Sequence, residues 1–163
     1  MDELKRSFPP VADARARMLV LGSLPGEESL AQARYYAHPR NHFWRLIGAV
    51  IGMELEPLPY EQRLAALQDA GVALWDTVGS ARRRGSLDGA IRDMEGNRLA
   101  KLVETLPNLQ AVGFNGGKAA AIGTPQLAGI ARLTLLPLPS SSPAFTLGFD
   151  AKLARWMALQ PFL

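Results

Sequence analysis

Short apolar runs alternate with stretches of helical periodicity along this chain. Met18-Leu19-Val20-Leu21 is continuously apolar and is closed by Gly22 and Pro25. A run with no polar side predicts a strand buried on both faces, as in a parallel sheet. Val72-Ala73-Leu74-Trp75 predicts a second such strand, leading into a polar loop from Asp76 to Gly89. Leu109 to Phe114 predicts a third, ending at Asn115-Gly116-Gly117. Leu133-Thr134-Leu135-Leu136 predicts a fourth, terminated by Pro137 and Pro139.

Helices lie between these strands. Phe43, Trp44, Ile47, Val50 and Ile51 recur at helical spacing, with Asn41 in the N-cap position and Gly52 at the end. Residues 60–70 predict an amphipathic helix on Leu64, Leu67 and Ala70, stopped by Gly71. Residues 96–106 predict another on Leu99, Leu102, Val103 and Leu106, stopped by Pro107. A small Ala-rich helix is expected over 118–122, and a last one over 150–159 with Leu153, Trp156 and Met157 on one side. Residues 27–36 read as a short helix or an ordered loop. Pro39 prevents a helix from continuing through His38. Residues 1–16 read as an arm leading into the domain.

This alternation predicts an α/β fold, a three-layer α/β/α sandwich around a four-stranded, mainly parallel sheet. One domain is expected over residues 1–163. In such sheets ligands bind beyond the carboxyl ends of the strands. Residues 23–26, 76–84, 115–118 and 137–142 follow the four strands and form the candidate site.

Composition narrows the chemistry. Among 163 residues, 48% are hydrophobic and 20% charged, which suits a folded globular chain. With no cysteine, disulfides, thiolate metal sites, iron–sulfur clusters and a Cys nucleophile are excluded. No apolar run approaches the roughly 20 residues of a membrane span, and the first residues lack a signal-like apolar segment. A cytoplasmic monomer that meets no membrane is expected. The net charge of +3 is small, but Arg82-Arg83-Arg84 concentrates it. That cluster suits either an anionic partner or a solvated surface.

Several motifs fail on inspection. Gly22-Ser-Leu-Pro-Gly26 lacks the spacing of a dinucleotide loop. Gly113-Phe-Asn-Gly-Gly-Lys118 has the wrong glycine spacing for a P-loop, and Ala119 replaces the magnesium-holding hydroxyl. His38 and His42 stand four apart, but Pro39 spoils a common helix and no third His exists. No metal and no cofactor are expected. The densest segment is Tyr35-Tyr36-Ala-His38-Pro-Arg40-Asn41-His42-Phe43-Trp44. Periodicity assigns Phe43 and Trp44 to the core. Asn41 either caps the helix or serves a site. Tyr35 and Tyr36 fall outside the periodicity, and an aromatic there can stack on a planar ligand.

Three motifs in order resemble the uracil-DNA glycosylase superfamily. They are Gly22-Ser-Leu-Pro-Gly26, then Tyr36-Ala-His38-Pro-Arg-Asn41-His-Phe-Trp44, then Leu136-Pro-Leu-Pro-Ser140. The mismatch-specific uracil/thymine branch carries G-I-N-P-G, F-A-H-P-x-N-R-F-W and L-P-N-P-S in the same order. The double Tyr, the Ser-Leu-Pro-Gly form and the Ser-Ser-Ser-Pro-Ala ending are most similar to the hypoxanthine-DNA glycosylase branch. The resemblance implies a monofunctional glycosylase of base excision repair, acting on DNA that carries a deaminated base. A mismatch-specific uracil glycosylase, or a non-catalytic nucleic-acid-binding domain on the same fold, are the alternatives. A small-molecule enzyme using the same cleft is a further rival.

The resemblance also implies roles. Most branches hold the attacking water with an Asp or Asn in the first motif; here that slot is Leu24. In the hypoxanthine branch the catalytic amide matches Asn41. Tyr36 would stack on the base. Asp76 sits in the base-reading slot of Gly71-Val-Ala-Leu-Trp-Asp76, and Asn115 can offer a donor and an acceptor to a purine edge. Ser23 and His38 would complete the substrate pocket. Arg82, Arg83, Lys118 and the Ser140, Ser141 and Ser142 loop are the expected phosphate contacts. The wedge that enters the base stack falls near Ser142 or Pro143.

Overall fold

Met18 and Val20 turn to one side of their strand, Leu19 and Leu21 to the other. Side chains alternate across a strand, so a run apolar at every position needs cover on both faces. The computed structural model, which describes residues 3–163, supplies that cover. Strands β2 (Met18–Gly22), β3 (Val72–Asp76), β6 (Ala111–Asn115) and β7 (Thr134–Leu138) form one sheet in the order β3-β2-β6-β7. All three pairings are parallel. Helices α2 (Phe43–Ile51), α3 (Tyr60–Asp69) and α6 (Phe149–Trp156) cover one face through Phe43, Trp44, Ile47, Leu67 and Trp156. Helices α4 (Leu99–Glu104) and α5 (Gly117–Leu127) cover the other through Leu99, Val103, Ala119 and Leu127. Burial of each large apolar side chain contributes about 1.5–3 kcal/mol. The expected α/β/α sandwich is the fold.

Two segments differ from the sequence reading. The expected polar loop after Asp76 contains a strand, β4 (Val78–Arg83). It is the centre of a second, antiparallel sheet, between β1 (Glu3–Arg6) and β5 (Arg92–Gly96). Register shifts along β4 break its alternation, and β5 is exposed throughout, so neither strand shows an apolar run. The expected arm is likewise built in. Its residues 3–6 pair with β4, Val11 bridges to Leu74, and Phe8 and Val11 pack on the core.

Smaller differences concern the element ends. Pro137 lies inside β7 instead of ending it. β7 is an edge strand, where the missing N–H of proline costs no ladder bond. α5 runs beyond the expected 118–122 to Leu127, and α4 is shorter than 96–106. A short helix α1 (Glu27–Gln32) occupies the first part of residues 27–36. No helix among the described residues is long and apolar enough to cross a membrane.

Candidate active site

The loops after the four parallel strands meet the start of α2 at one end of the sheet. Thr77 N–H donates to the Gly22 carbonyl at 2.8 Å, and Val78 N–H to that of Ser23 at 2.9 Å. Gly116 N–H donates to the Leu138 carbonyl at 3.1 Å. His42 N–H donates to the Ser141 carbonyl at 3.0 Å. Ser141 N–H in turn donates to Asn115 Oδ1 at 2.8 Å, and Asn115 Nδ2 donates to Ser141 Oγ at 2.9 Å. The serine loop is thus tied at once to β6 and to α2.

Asn41 stands one residue earlier than a cap. The helix begins at Phe43, and the carbonyl of His42 takes the first helical bond, from Leu46 N–H at 2.9 Å. Asn41 Oδ1 accepts from Phe43 N–H at 2.9 Å, an Asx turn into the helix. This bond fixes the amide plane. It uses one of two lone pairs on Oδ1 and leaves both Nδ2 hydrogens for other partners. The side chain is half-buried.

Tyr36 adopts a left-handed backbone, φ 52°, which costs a non-glycine residue on the order of 1 kcal/mol or more. Two bonds hold the segment there. Trp44 Nε1–H donates to the Tyr36 carbonyl at 3.2 Å, and Ala37 N–H to Ser29 Oγ at 3.0 Å. The Tyr36 ring stacks on Phe43, centroids 3.9 Å apart and planes 17° from parallel. One ring face is therefore occupied, and only the other is left for a planar ligand. Its hydroxyl is buried without a hydrogen-bond partner. Burial pushes the phenol up, the charge of Asp76 adds to this, and the amide of Asn115 opposes it.

Asp76 ends β3 and is 3% exposed, and its Oδ2 has no partner. Burial pushes its carboxyl up to about 7; the charge of Asp88 adds to this and Arg83 opposes it. Gly22 makes the approach possible. A Cβ on it would lie 2.6 Å from Asp76 Oδ1 and 3.0 Å from the Tyr36 hydroxyl. A buried acceptor and a buried hydroxyl thus converge over a bare α-carbon.

Other expected site residues separate. Tyr35 is core: it is 4% exposed, its hydroxyl donates to the Pro9 carbonyl, and its ring meets Phe8 edge-on. His38 caps its own turn, with Nδ1 accepting from Arg40 N–H at 3.1 Å. Ser23 is buried and donates to Asp88 Oδ1 at 2.5 Å. Leu24 turns away into a small apolar cluster with Val78 and Ala81. Lys118 is half-buried at the start of α5. His38 and His42 belong to no metal-binding group of three or more His, Cys, Asp or Glu among the described residues.

Two expected phosphate contacts need correction. Arg83 is fully buried. At the end of β4 Arg82 points out and Arg83 in, and the Arg83 guanidinium donates to the carbonyls of Gly85, Leu24 and Pro25. It clamps the first-motif loop and does not face solvent. Arg82 and Arg84, on either side, are exposed. In the serine loop, Ser141 is 1% exposed and its hydroxyl accepts from Asn115. Ser140 Oγ takes Ser142 N–H at 3.1 Å, and Ser142 Oγ takes Ala144 N–H at 3.1 Å. These amides are engaged inside the loop. The residues missed from sequence are Asp88, brought in from 65 positions away by Ser23, and Lys152, buried with Nζ on the Ser142 carbonyl at 3.2 Å. Asp88 lies in a polar segment with no motif, and Lys152 on a helix that reads as amphipathic. Neither carries a sequence signal.

A family model described as the Uracil DNA glycosylase superfamily matches residues 9–160, nearly the whole chain. The chain belongs to that superfamily. A hypoxanthine DNA glycosylase from Methanosarcina acetivorans is 43% identical over 86% of this chain and 88% of its own. A second hypoxanthine DNA glycosylase, from Methanosarcina barkeri, is 44% identical over 71% and 73% of the two chains. The solution NMR structure of a candidate uracil DNA glycosylase from Methanosarcina acetivorans superposes with a TM-score of 0.86 at 38% identity. It covers 98% of this chain and 99% of that one. Membership carries the reaction class: the protein is a DNA glycosylase, which hydrolyses the N-glycosidic bond to a deaminated base. The motif resemblance read from Tyr36, Asn41 and Ser140 therefore stands. The converging loop end brings Tyr36, Asp76, Asn115 and Ser141 together.

Proposed function

We propose that this glycosylase hydrolyses the N-glycosidic bond of deoxyinosine in DNA, releasing hypoxanthine and leaving an abasic site. The observation that carries the reading is the buried, unpartnered pair of Asp76 Oδ2 and the Tyr36 hydroxyl. Each unmatched buried polar group costs about 1–3 kcal/mol. Hypoxanthine presents a ring N–H beside a carbonyl oxygen. Asp76 accepts from the N–H and the Tyr36 hydroxyl donates to the oxygen, so the bound base relieves both. A phenol hydroxyl lies in the plane of its own ring, so Tyr36 meets the base edge-on while its face stays stacked on Phe43. The two hypoxanthine DNA glycosylase relatives support the same substrate.

The base must first leave the duplex, at a cost of a few kcal/mol that stacking and edge hydrogen bonds offset. Bond cleavage then builds positive charge on the sugar and negative charge on the base. Donors already oriented toward the base stabilise that charge without reorganisation. Asn41 aims the water, its amide plane set by the bond to Phe43. The attacking group in this reading is the water aimed by Asn41 and not Lys118, the single lysine of the four loops, so the reaction is monofunctional hydrolysis.

Uracil offers a similar N–H and carbonyl edge, so a cleavage panel separates the readings. Duplexes with one deoxyinosine, deoxyuridine or deoxyxanthosine lesion are treated, then cleaved with alkali. Inosine duplexes are expected to react fastest. A preference for uracil in a G:U mismatch would favour the mismatch-specific reading, and no cleavage of any duplex would favour a binding domain.

The phosphate contacts carry a separate expectation. Replacing Arg82 and Arg84 with Ala should flatten the dependence of log affinity on log salt, by about one unit per lost contact. Arg83→Ala should leave that slope alone and lower the melting temperature, because the buried carbonyls of Leu24 and Pro25 lose their donor.

A further inference from the structure

Leu24 leaves the water-holding slot of the first motif without a polar group, and its side chain points into an apolar cluster. Asn41 can aim a water but is a poor proton acceptor. The proton released on attack still needs a destination. The neighbouring residue, Ser23, follows Gly22, where an added Cβ would meet both Asp76 Oδ1 and the Tyr36 hydroxyl. Its hydroxyl proton is committed to Asp88 Oδ1 at 2.5 Å. A hydroxyl has one proton and two lone pairs, so Ser23 Oγ is left facing other groups as an acceptor only.

We propose that Ser23 and Asp88 form a proton relay that replaces the missing group at Leu24. This rests on the glycosylase reading of the site. The water oxygen bonds to the sugar C1′ as the bond from C1′ to the base breaks, its electron pair leaving with the base. The water gives one proton to Ser23 Oγ while Ser23 passes its own to Asp88. Asp88 becomes neutral and returns the proton to solvent, which its half-buried position allows. The departing base takes a proton from solvent, so the sum is hydrolysis. Ser23 is the catalytic residue of the pair, and Asp88 acts through it.

The surroundings fit this role. Asp88 begins a one-turn 3-10 helix (Asp88–Ala90) after β4, far from the motifs in sequence. Its charge is felt by Asp76 on β3, by Arg83 on β4 and by the Tyr36 phenol. Its bond to Ser23 holds it at the end of β2, where Gly22 pairs with Asp76, so it stands at the same end of the sheet as the unpartnered Asp76 Oδ2.

The test uses Asp88→Asn, Ser23→Ala and the double variant in the full chain. Single-turnover release is measured from pH 5 to 9 on whichever lesion the wild type cleaves best. Binding to a duplex with a non-hydrolysable abasic analogue is measured beside it. Asp88→Asn keeps an acceptor for the Ser23 hydroxyl, so the loop tie survives and only the proton sink is lost. The plateau rate is expected to fall about 10²- to 10³-fold, with affinity within twofold of wild type. The double variant should be no worse than either single one, because the pair acts as a unit. Wild-type rates in Asp88→Asn would overturn the relay alone. So would a shifted pH midpoint with an unchanged plateau, since Asp88 would then act only by its charge on Asp76. A fall in rate matched by a fall in affinity would mark a structural tie and overturn it as well. No base release by the wild type from any lesion would instead contradict the glycosylase reading, and the relay with it.

Discussion

Asn41→Ala is expected to lose about 10²- to 10³-fold in the single-turnover rate of hypoxanthine release, with DNA affinity nearly unchanged. The interaction lost is with a water that is held tightly only as the bond breaks, so the loss falls on the rate and not on binding. The same side chain also makes the Asx turn into α2 through Phe43 N–H. Removing that bond costs about 1 kcal/mol of stability. The two effects separate in Asn41→Asp, whose carboxylate keeps the turn. Asn41→Asp should melt like the wild type, whatever its rate. A folded Asn41→Ala protein that releases hypoxanthine at the wild-type rate would remove Asn41 from the chemistry.

Asp76→Asn is expected to change both activity and the pH dependence of stability. Asparagine at this site can turn a donor toward the ring N–H, and a buried donor facing a donor costs on the order of 2–3 kcal/mol, or about 10²-fold in release of hypoxanthine. The stability effect has a definite sign. The carboxyl is raised from 3.8 to about 7 in the folded chain. The folded state therefore holds its proton more tightly than the unfolded state. Stability from this group is fully present below about pH 3.8 and is lost as pH rises toward 7. A rise of that size corresponds to on the order of 4 kcal/mol. The asparagine of the variant cannot titrate, so Asp76→Asn should gain on the wild type between pH 4 and 8 in denaturant melts. A stability difference that stays flat across that range would show that Asp76 is ionised throughout.

How far the sequence reached depended on how each residue is used. The four parallel strands were legible because burial on both faces leaves no polar position, as in Met18 to Leu21. The antiparallel sheet was hidden because β5 is wholly exposed and β4 is bulged, so neither has a two-residue period. Within the site, the motif residues Tyr36 and Asn41 were legible as a dense polar and aromatic segment. Their partners were not. Arg83 reads as one of three surface arginines, and only pairing with β1 and β5 turns it inward onto Pro25 and Leu24. Asp88 reads as a turn residue until Ser23 meets it across 65 positions. Contacts of that length leave no periodicity in the chain.

The most direct measurement is product analysis on a single-lesion deoxyinosine duplex. Free hypoxanthine is expected in solution, in equal amount to abasic strands that stay intact until alkali or heat is applied. Strands nicked by the protein itself, or a duplex whose inosine is fully retained at stoichiometric protein, would contradict it.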